Sequence, residues 1–273
     1  MFSLPQLQLR RAAIAYSQSL ELKLMRASNK ERGFSLLEIA VALAVITLLL
    51  GSILVPLQTQ VESRKYGETQ KLLDQAREAL LGYAAAYGYF PCPANAGSNG
   101  QEAGADHSTG ACTTYHGFLP AATLGFNPTD SSGYALDAWG TTANRIRYSV
   151  SNTTVFGITN PFTRINGMRG AGMSNIMNAN LLYVCDSGTG ITSGTNCGTA
   201  VTLTSNAPVV IWSLGPNAAT GGSTPHESEN VDSNRTFVMR TKSDVAGSEF
   251  DDILTWISPA IALNRLIAAG QLP

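Results

Sequence analysis

The sequence predicts an α+β chain, with a long N-terminal α-helix, half transmembrane and half amphipathic, packed on a C-terminal globular head that carries a small antiparallel β-sheet. Three observations carry this. An uncharged apolar run extends from Ile39 to Leu57 behind a basic segment. A proline-free stretch with helical periodicity follows it as far as Tyr87. Beyond Pro93, short β-branched or aromatic segments alternate with loops rich in Gly, Asn and Ser.

Residues 1–33 carry six basic side chains (Arg10, Arg11, Lys23, Arg26, Lys30, Arg32) and two acidic ones (Glu21, Glu31). Their net charge is +4, so the remainder must be −5 to give the whole chain's −1. Basic residues immediately before an apolar run hold that end in the cytoplasm and place the downstream chain across the membrane. The segment reads as a cytoplasmic leader that takes no part in the fold. The Arg10-Arg11 pair is followed by polar residues rather than an apolar run, which argues against a twin-arginine signal.

Residues 34–57 are long enough to cross a hydrocarbon core of about 30 Å as one helix. Pro56 lies near its far end, where a kink is the expected consequence. No A-x-A-like site follows the run, so cleavage behind it, as in an ordinary secretory signal, is not expected. At the head of the run stands one carboxylate, Glu38. A charge costs roughly 2.5–3.5 kcal/mol at the centre of a spanning helix and less near its end, so Glu38 needs both a function and a partner.

Residues 58–88 read as the amphipathic half of the same helix. Leu73, Ala76, Leu80, Ala84 and Tyr87 form one i, i+3, i+4 stripe, and Glu62/Lys65, Glu68/Lys71 and Asp74/Arg77 pair at i, i+3. Gly67 and Gly82 are its weak points, and Gly88 with Pro91 and Pro93 ends it.

Residues 89–273 form the expected head. Asn95–Gly110 reads as loop, and Arg145–Val150, Leu181–Val184, Val209–Leu214 and Thr236–Arg240 as strands. Asp251–Leu272 reads as one or two short helices around Pro259. Four cysteines, Cys92, Cys112, Cys185 and Cys197, all fall on the far side of the apolar run, where an even count favours disulfides. Three pairings exist, and proximity favours Cys92–Cys112 with Cys185–Cys197. A zinc site using His107 or His116 has no C-x-x-C spacing to support it.

Two function classes find little support. With three histidines and neither a G-x-S-x-G elbow nor an H-E-x-x-H helix, no enzyme is expected. Nucleic-acid binding needs a basic surface, yet the body is net −5, with only Arg145, Arg147, Arg164 and Arg169 loosely grouped.

The run Arg32-Gly33-Phe34-Ser35-Leu36-Leu37-Glu38, followed by the apolar stretch, resembles the signature of type IV pilins and type II secretion pseudopilins. The resemblance implies cleavage by a prepilin peptidase between Gly33 and Phe34 and N-methylation of Phe34. Glu38 falls on the family's conserved carboxylate position. It would meet the new Phe34 amine, either of a neighbouring subunit during filament growth or within its own chain. The implied partners are the peptidase, other pilin or pseudopilin subunits and an inner-membrane assembly platform. The implied location is the bacterial inner membrane, with the N-terminus cytoplasmic and the head periplasmic, and then a filament. The size of the head suggests a minor subunit, and a tip adhesin or ligand-binding module on a pilin stem is the alternative. Two departures stand out: the leader is long for the family, and the proline lies one residue beyond its usual place.

The resemblance continues into the head. Tyr134-Ala135-Leu136-Asp137-Ala138-Trp139-Gly140, followed by Arg145-Ile146-Arg147-Tyr148, is similar to the D-P-W-G…Y-x-Y region of pseudopilin heads, with Ala138 in place of the proline. Read from the residues alone, it is a turn with a buried Trp139 leading into a strand. The segments around Ser213–Asn217, Glu227–Asp232 and Phe250–Ile253 are similar to the calcium loop of major pseudopilins. Calcium takes six to eight oxygens, which Asn217, Glu229, Asp232, Asp251 and Asp252 would supply. The competing reading makes Asp251 or Asp252 the cap of the last helix.

Overall fold

A computed structural model describes residues 33–222 and 224–272, with residues 52–58 described by their backbone alone. All of the expected leader except Gly33 therefore lies outside the described residues. The chain divides into two compact units, Met1–Thr59 and Gln60–Pro273. Helix α1 is assigned from Leu36 to Tyr87, and the assignment passes Pro56 without interruption.

In the second unit, α1 ends where the sequence says it must. Gly88 takes φ +82°, a conformation costly for a residue with a Cβ, and its N–H closes the last turn on the Ala84 carbonyl at 2.7 Å. The expected stripe is confirmed at Leu73, Ala76, Leu80 and Ala84, all buried, with Leu81 beside them. Tyr87 is the exception: it is 57% exposed and stacks on Tyr83 at 4.5 Å between ring centroids. It sits on the last turn, whose Ala85 and Ala86 carbonyls accept from the Gln271 side chain.

The head is α+β. Strands β1 (His116–Phe118), β2 (Arg147–Val150), β5 (Val209–Ser213) and β7 (Ile253–Ile257) form an antiparallel sheet in the order β1-β2-β5-β7. A second sheet orders β4-β3-β6, from β4 (Thr202–Ala207), β3 (Leu182–Cys185) and β6 (Thr236–Val238). There β3 pairs antiparallel with β4 but parallel with β6, so the second sheet is mixed rather than antiparallel.

Strand β5 explains how the layers stack. All five of its residues are buried, which is why it reads as an unbroken apolar run rather than an alternating one. Val209 and Ile211 face the core that holds Leu73, Leu80 and Ala84 of α1. Val210 and Trp212 face the opposite core, with Leu182, Val184, Ala207 and Phe237 of the second sheet. The first core is closed by helix α6 (Pro259–Ala268), which contributes Leu263 and Leu266. Short helices α2 (Ala121–Leu124), α3 (Gly167–Ala171), α4 (Met173–Met177) and α5 (Pro225–Ser228) fill the connections.

The C-terminal segment corrects the sequence reading. Its first half is β7, not helix, because Ile253, Leu254, Thr255, Trp256 and Ile257 are all good strand formers that pair residue by residue with β5. Only Pro259–Ala268 is helical. Its cap is Ser258, whose Oγ accepts the Ile261 N–H, with Pro259 in the first turn. Neither Asp251 nor Asp252 caps it. Both disulfides follow sequence proximity: Cys92 joins Cys112 and Cys185 joins Cys197, leaving no free thiol among the described residues.

Candidate processing and assembly site

Gly33, Phe34 and Ser35 are not helical, and α1 begins at Leu36. Ser35 is the residue that starts it. Its carbonyl accepts the Ile39 N–H at 3.1 Å, and its Oγ lies 3.3 Å from the Leu37 N–H, the position of an N-cap. Counted from this cap, Glu38 occupies the third helical position. Ser35-x-x-Glu38 therefore has the spacing of a capping box, and the carboxylate stands in the first turn where the helix dipole favours it. This local role for Glu38 is written in the sequence as S-x-x-E, a signal that the cleavage signature overlies.

The bond between Gly33 and Phe34 lies in non-helical, exposed chain. Both residues are exposed, Phe34 at 77%, and a Cβ built on Gly33 would meet nothing within 4 Å. No packing in the fold therefore demands glycine there. From Gly33 to Gly51 every residue is exposed, including Leu36, Leu37, Val41, Leu43, Leu48 and Leu50. Among the described residues no helix is long and apolar enough to cross a membrane.

Residues 28–54 match the family model of the prokaryotic N-terminal methylation motif. The chain carries that motif. The match spans the Gly33–Phe34 bond and Glu38, and it is consistent with type IV pilins and pseudopilins. No curated protein and no solved structure matches the chain.

Away from the motif, the oxygens expected to hold calcium fall into two groups, Asn217, Asp251 and Asp252 in one and Glu229 and Asp232 in the other. Asn217 donates to Glu227 at 3.0 Å, and Asp251 lies against Gly215. Asp252 accepts from Asn230 at 2.7 Å. Glu229 and Asp232 turn instead to Asn234, and Glu229 also accepts from Thr236. Among the described residues no group of three or more His, Cys, Asp or Glu side chains is placed to hold a metal ion. Burial, then the neighbouring Glu227, pushes Asp251 up to about 7, and burial pushes Asp252 up to about 8.

The histidines are committed elsewhere. His107 lies 3.2 Å from Glu102 and 2.8 Å from the Thr163 carbonyl, and His116 lies 2.8 Å from Ser149 Oγ. With all four cysteines in disulfides, the Cys/His zinc reading fails.

The Tyr134–Gly140 segment is a turn leading into β2, as expected. Asp137 anchors it by accepting from the Trp139 N–H, Ser213 Oγ and Asn144 Nδ2 at 2.5–3.0 Å. Trp139 is only partly buried; it packs edge-on against Tyr66 of α1 at 5.1 Å.

Proposed function

We propose that the chain is a pilin-like structural subunit. A prepilin peptidase cuts it between Gly33 and Phe34 and methylates the new Phe34 amine. Residues 34–57 then hold it in the inner membrane, head outward, until an assembly platform packs it with other subunits. The product is a type IV pilus or a type II secretion pseudopilus, in which this chain is a minor component. The observation that carries this reading is the methylation-motif match at residues 28–54, with Glu38 four residues beyond Phe34.

The physical chemistry supports it. The N-terminal stretch of α1, whose apolar side chains are exposed as far as Leu50, needs lipid or other helices to cover them, at about 25 cal/mol for each Å² removed from water. After cleavage the Phe34 ammonium and the Glu38 carboxylate are both costly alone in hydrocarbon, and pairing relieves both. The test is intact-mass measurement on protein from cells with an active prepilin peptidase. The expected N-terminus is methylated Phe34; recovery of Met1 would overturn the reading.

A further inference from the structure

Between the two sheets of the head lies a cavity of about 30 Å³, lined by His116 of β1, Arg147 of β2, Trp212 of β5, Phe237 of β6 and the Asn230–Ser233 turn. One water-sized group occupies about 10–15 Å³ on this measure, so two oxygen-sized atoms fit. Ser233 is exposed, so the cavity reaches solvent at that turn.

The register of the first sheet builds its inner wall. Arg147 and Trp212 are directly opposed cross-strand partners, so both side chains stand on the face turned toward the second sheet. Trp212 is only 3% exposed, and its Nε1–H is buried with no hydrogen-bond partner among the described residues. The same holds for Nε of Arg147, which makes no ion pair among the described residues and otherwise rests on the Phe118 ring at 5.6 Å.

Arg147 is only partly buried and feels the charge of Asp252, but its buried Nε and the buried Trp212 Nε1–H each lack an acceptor among the described residues, which is destabilising by kcal/mol amounts. Here they share one small cavity. The remaining polar lining does not answer them. The Asn230 amide is consumed by Val238 and Asp252, and His116 Nδ1 by Ser149. Burial holds His116 neutral near physiological pH, with its pKa pushed down to about 4, so Arg147 is the cavity's charge.

We propose that this cavity is a binding site for a single carboxylate group, one oxygen accepting from the Arg147 guanidinium and the other from the Trp212 indole. The group arrives either as a free small carboxylate or as an acidic side chain or C-terminus of a partner polypeptide.

The chain contains only three tryptophans, so the Trp212 indole N–H can be assigned in a ¹H–¹⁵N spectrum of the full-length protein in detergent by comparison with Trp212→Phe. Sodium formate, titrated at constant ionic strength, should shift that resonance saturably and raise Tm. Arg147→Gln should weaken the apparent affinity about ten- to hundredfold, the loss expected for a charge-assisted hydrogen bond. If that variant does not fold, Trp212→Phe keeps an aromatic ring but removes the N–H donor, and should cut the formate-dependent rise in Tm. An acidic hexapeptide that shifts the resonance at lower concentration than formate marks a polypeptide source, whereas formate acting alone marks a free carboxylate. No shift with formate, an equal shift with chloride, or an undiminished response in Arg147→Gln would overturn the proposal.

Discussion

Asn230 ties the turn before β6 to the start of β7. Its Nδ2 donates to Asp252 Oδ2 at 2.7 Å and to the Val238 carbonyl at 3.0 Å, while its Oδ1 accepts the Val238 N–H at 2.8 Å. Both side chains are buried. The Asn230 donor favours the carboxylate form, but burial outweighs it and pushes Asp252 up to about 8 from 3.8. A raised acid lets the native state bind a proton that the unfolded chain has released, so the Asp252 contribution to stability is fully present below about pH 4 and is lost as pH climbs toward about 8. Asp251, raised to about 7, acts in the same direction. Asp252→Asn should keep the bridge and flatten that fall. Tm measured across the window checks this, and an unchanged slope would mean that Asp252 is ionised throughout.

Where α1 meets the sheet, the apolar stripe and the charged face predict different costs. Leu80 is fully buried among Leu73, Ala76 and Leu81 of α1 and Leu266 of α6. Leu80→Ala should destabilise the head by about 2–5 kcal/mol in denaturant unfolding. Glu78, two residues away, reaches Arg265 at 2.6 Å, but both partners are more than half exposed. Glu78→Ala should cost no more than about 1 kcal/mol. Equal losses would mean that the helix is held by its charges rather than its stripe.

The two disulfides close loops of 20 and 12 residues in sequence separation. Replacing Cys92 and Cys112 together by serine should lower stability by about 2–4 kcal/mol, and removing the Cys185–Cys197 bridge slightly less, since the shorter loop restrains the unfolded chain less. The comparison requires the same denaturant series on both double variants.

Elements whose signal is local were legible in the sequence. The α1 stripe, the Gly88 stop and the β2, β3, β5 and β6 segments each declare themselves within a few residues. The missed strands do not. β1 is three residues with a central glycine, and β4 is polar and largely exposed. β7 consists of strand formers, but an acidic start and Pro259 give it the look of a helix start; pairing with β5 decides it. The hydrogen-bond partners of the residues expected to bind calcium were invisible for the same reason. Glu229 and Asp232 are drawn to Asn234 by a tight turn whose Ser233 takes φ +61°, a local geometry that loop composition does not announce.

Glu38 has two candidate duties, and one substitution separates them. Three residues after the Ser35 cap, at capping-box spacing, it stands in the first turn of α1, where glutamine keeps the hydrogen-bonding capacity and loses only a helix-dipole interaction of about 0.3–1 kcal/mol. As the counter-ion of a processed Phe34 amine it must carry a negative charge, which glutamine lacks. Glu38→Gln should therefore be cleaved and methylated normally yet fail to enter filaments. Ser35→Ala should fray the helix start by about 1 kcal/mol and still assemble. Intact mass reads the processing, and the sheared-filament fraction reads the assembly. If Glu38→Gln assembles as well as the native chain while Ser35→Ala does not, the carboxylate acts through the helix start and the pairing mechanism fails.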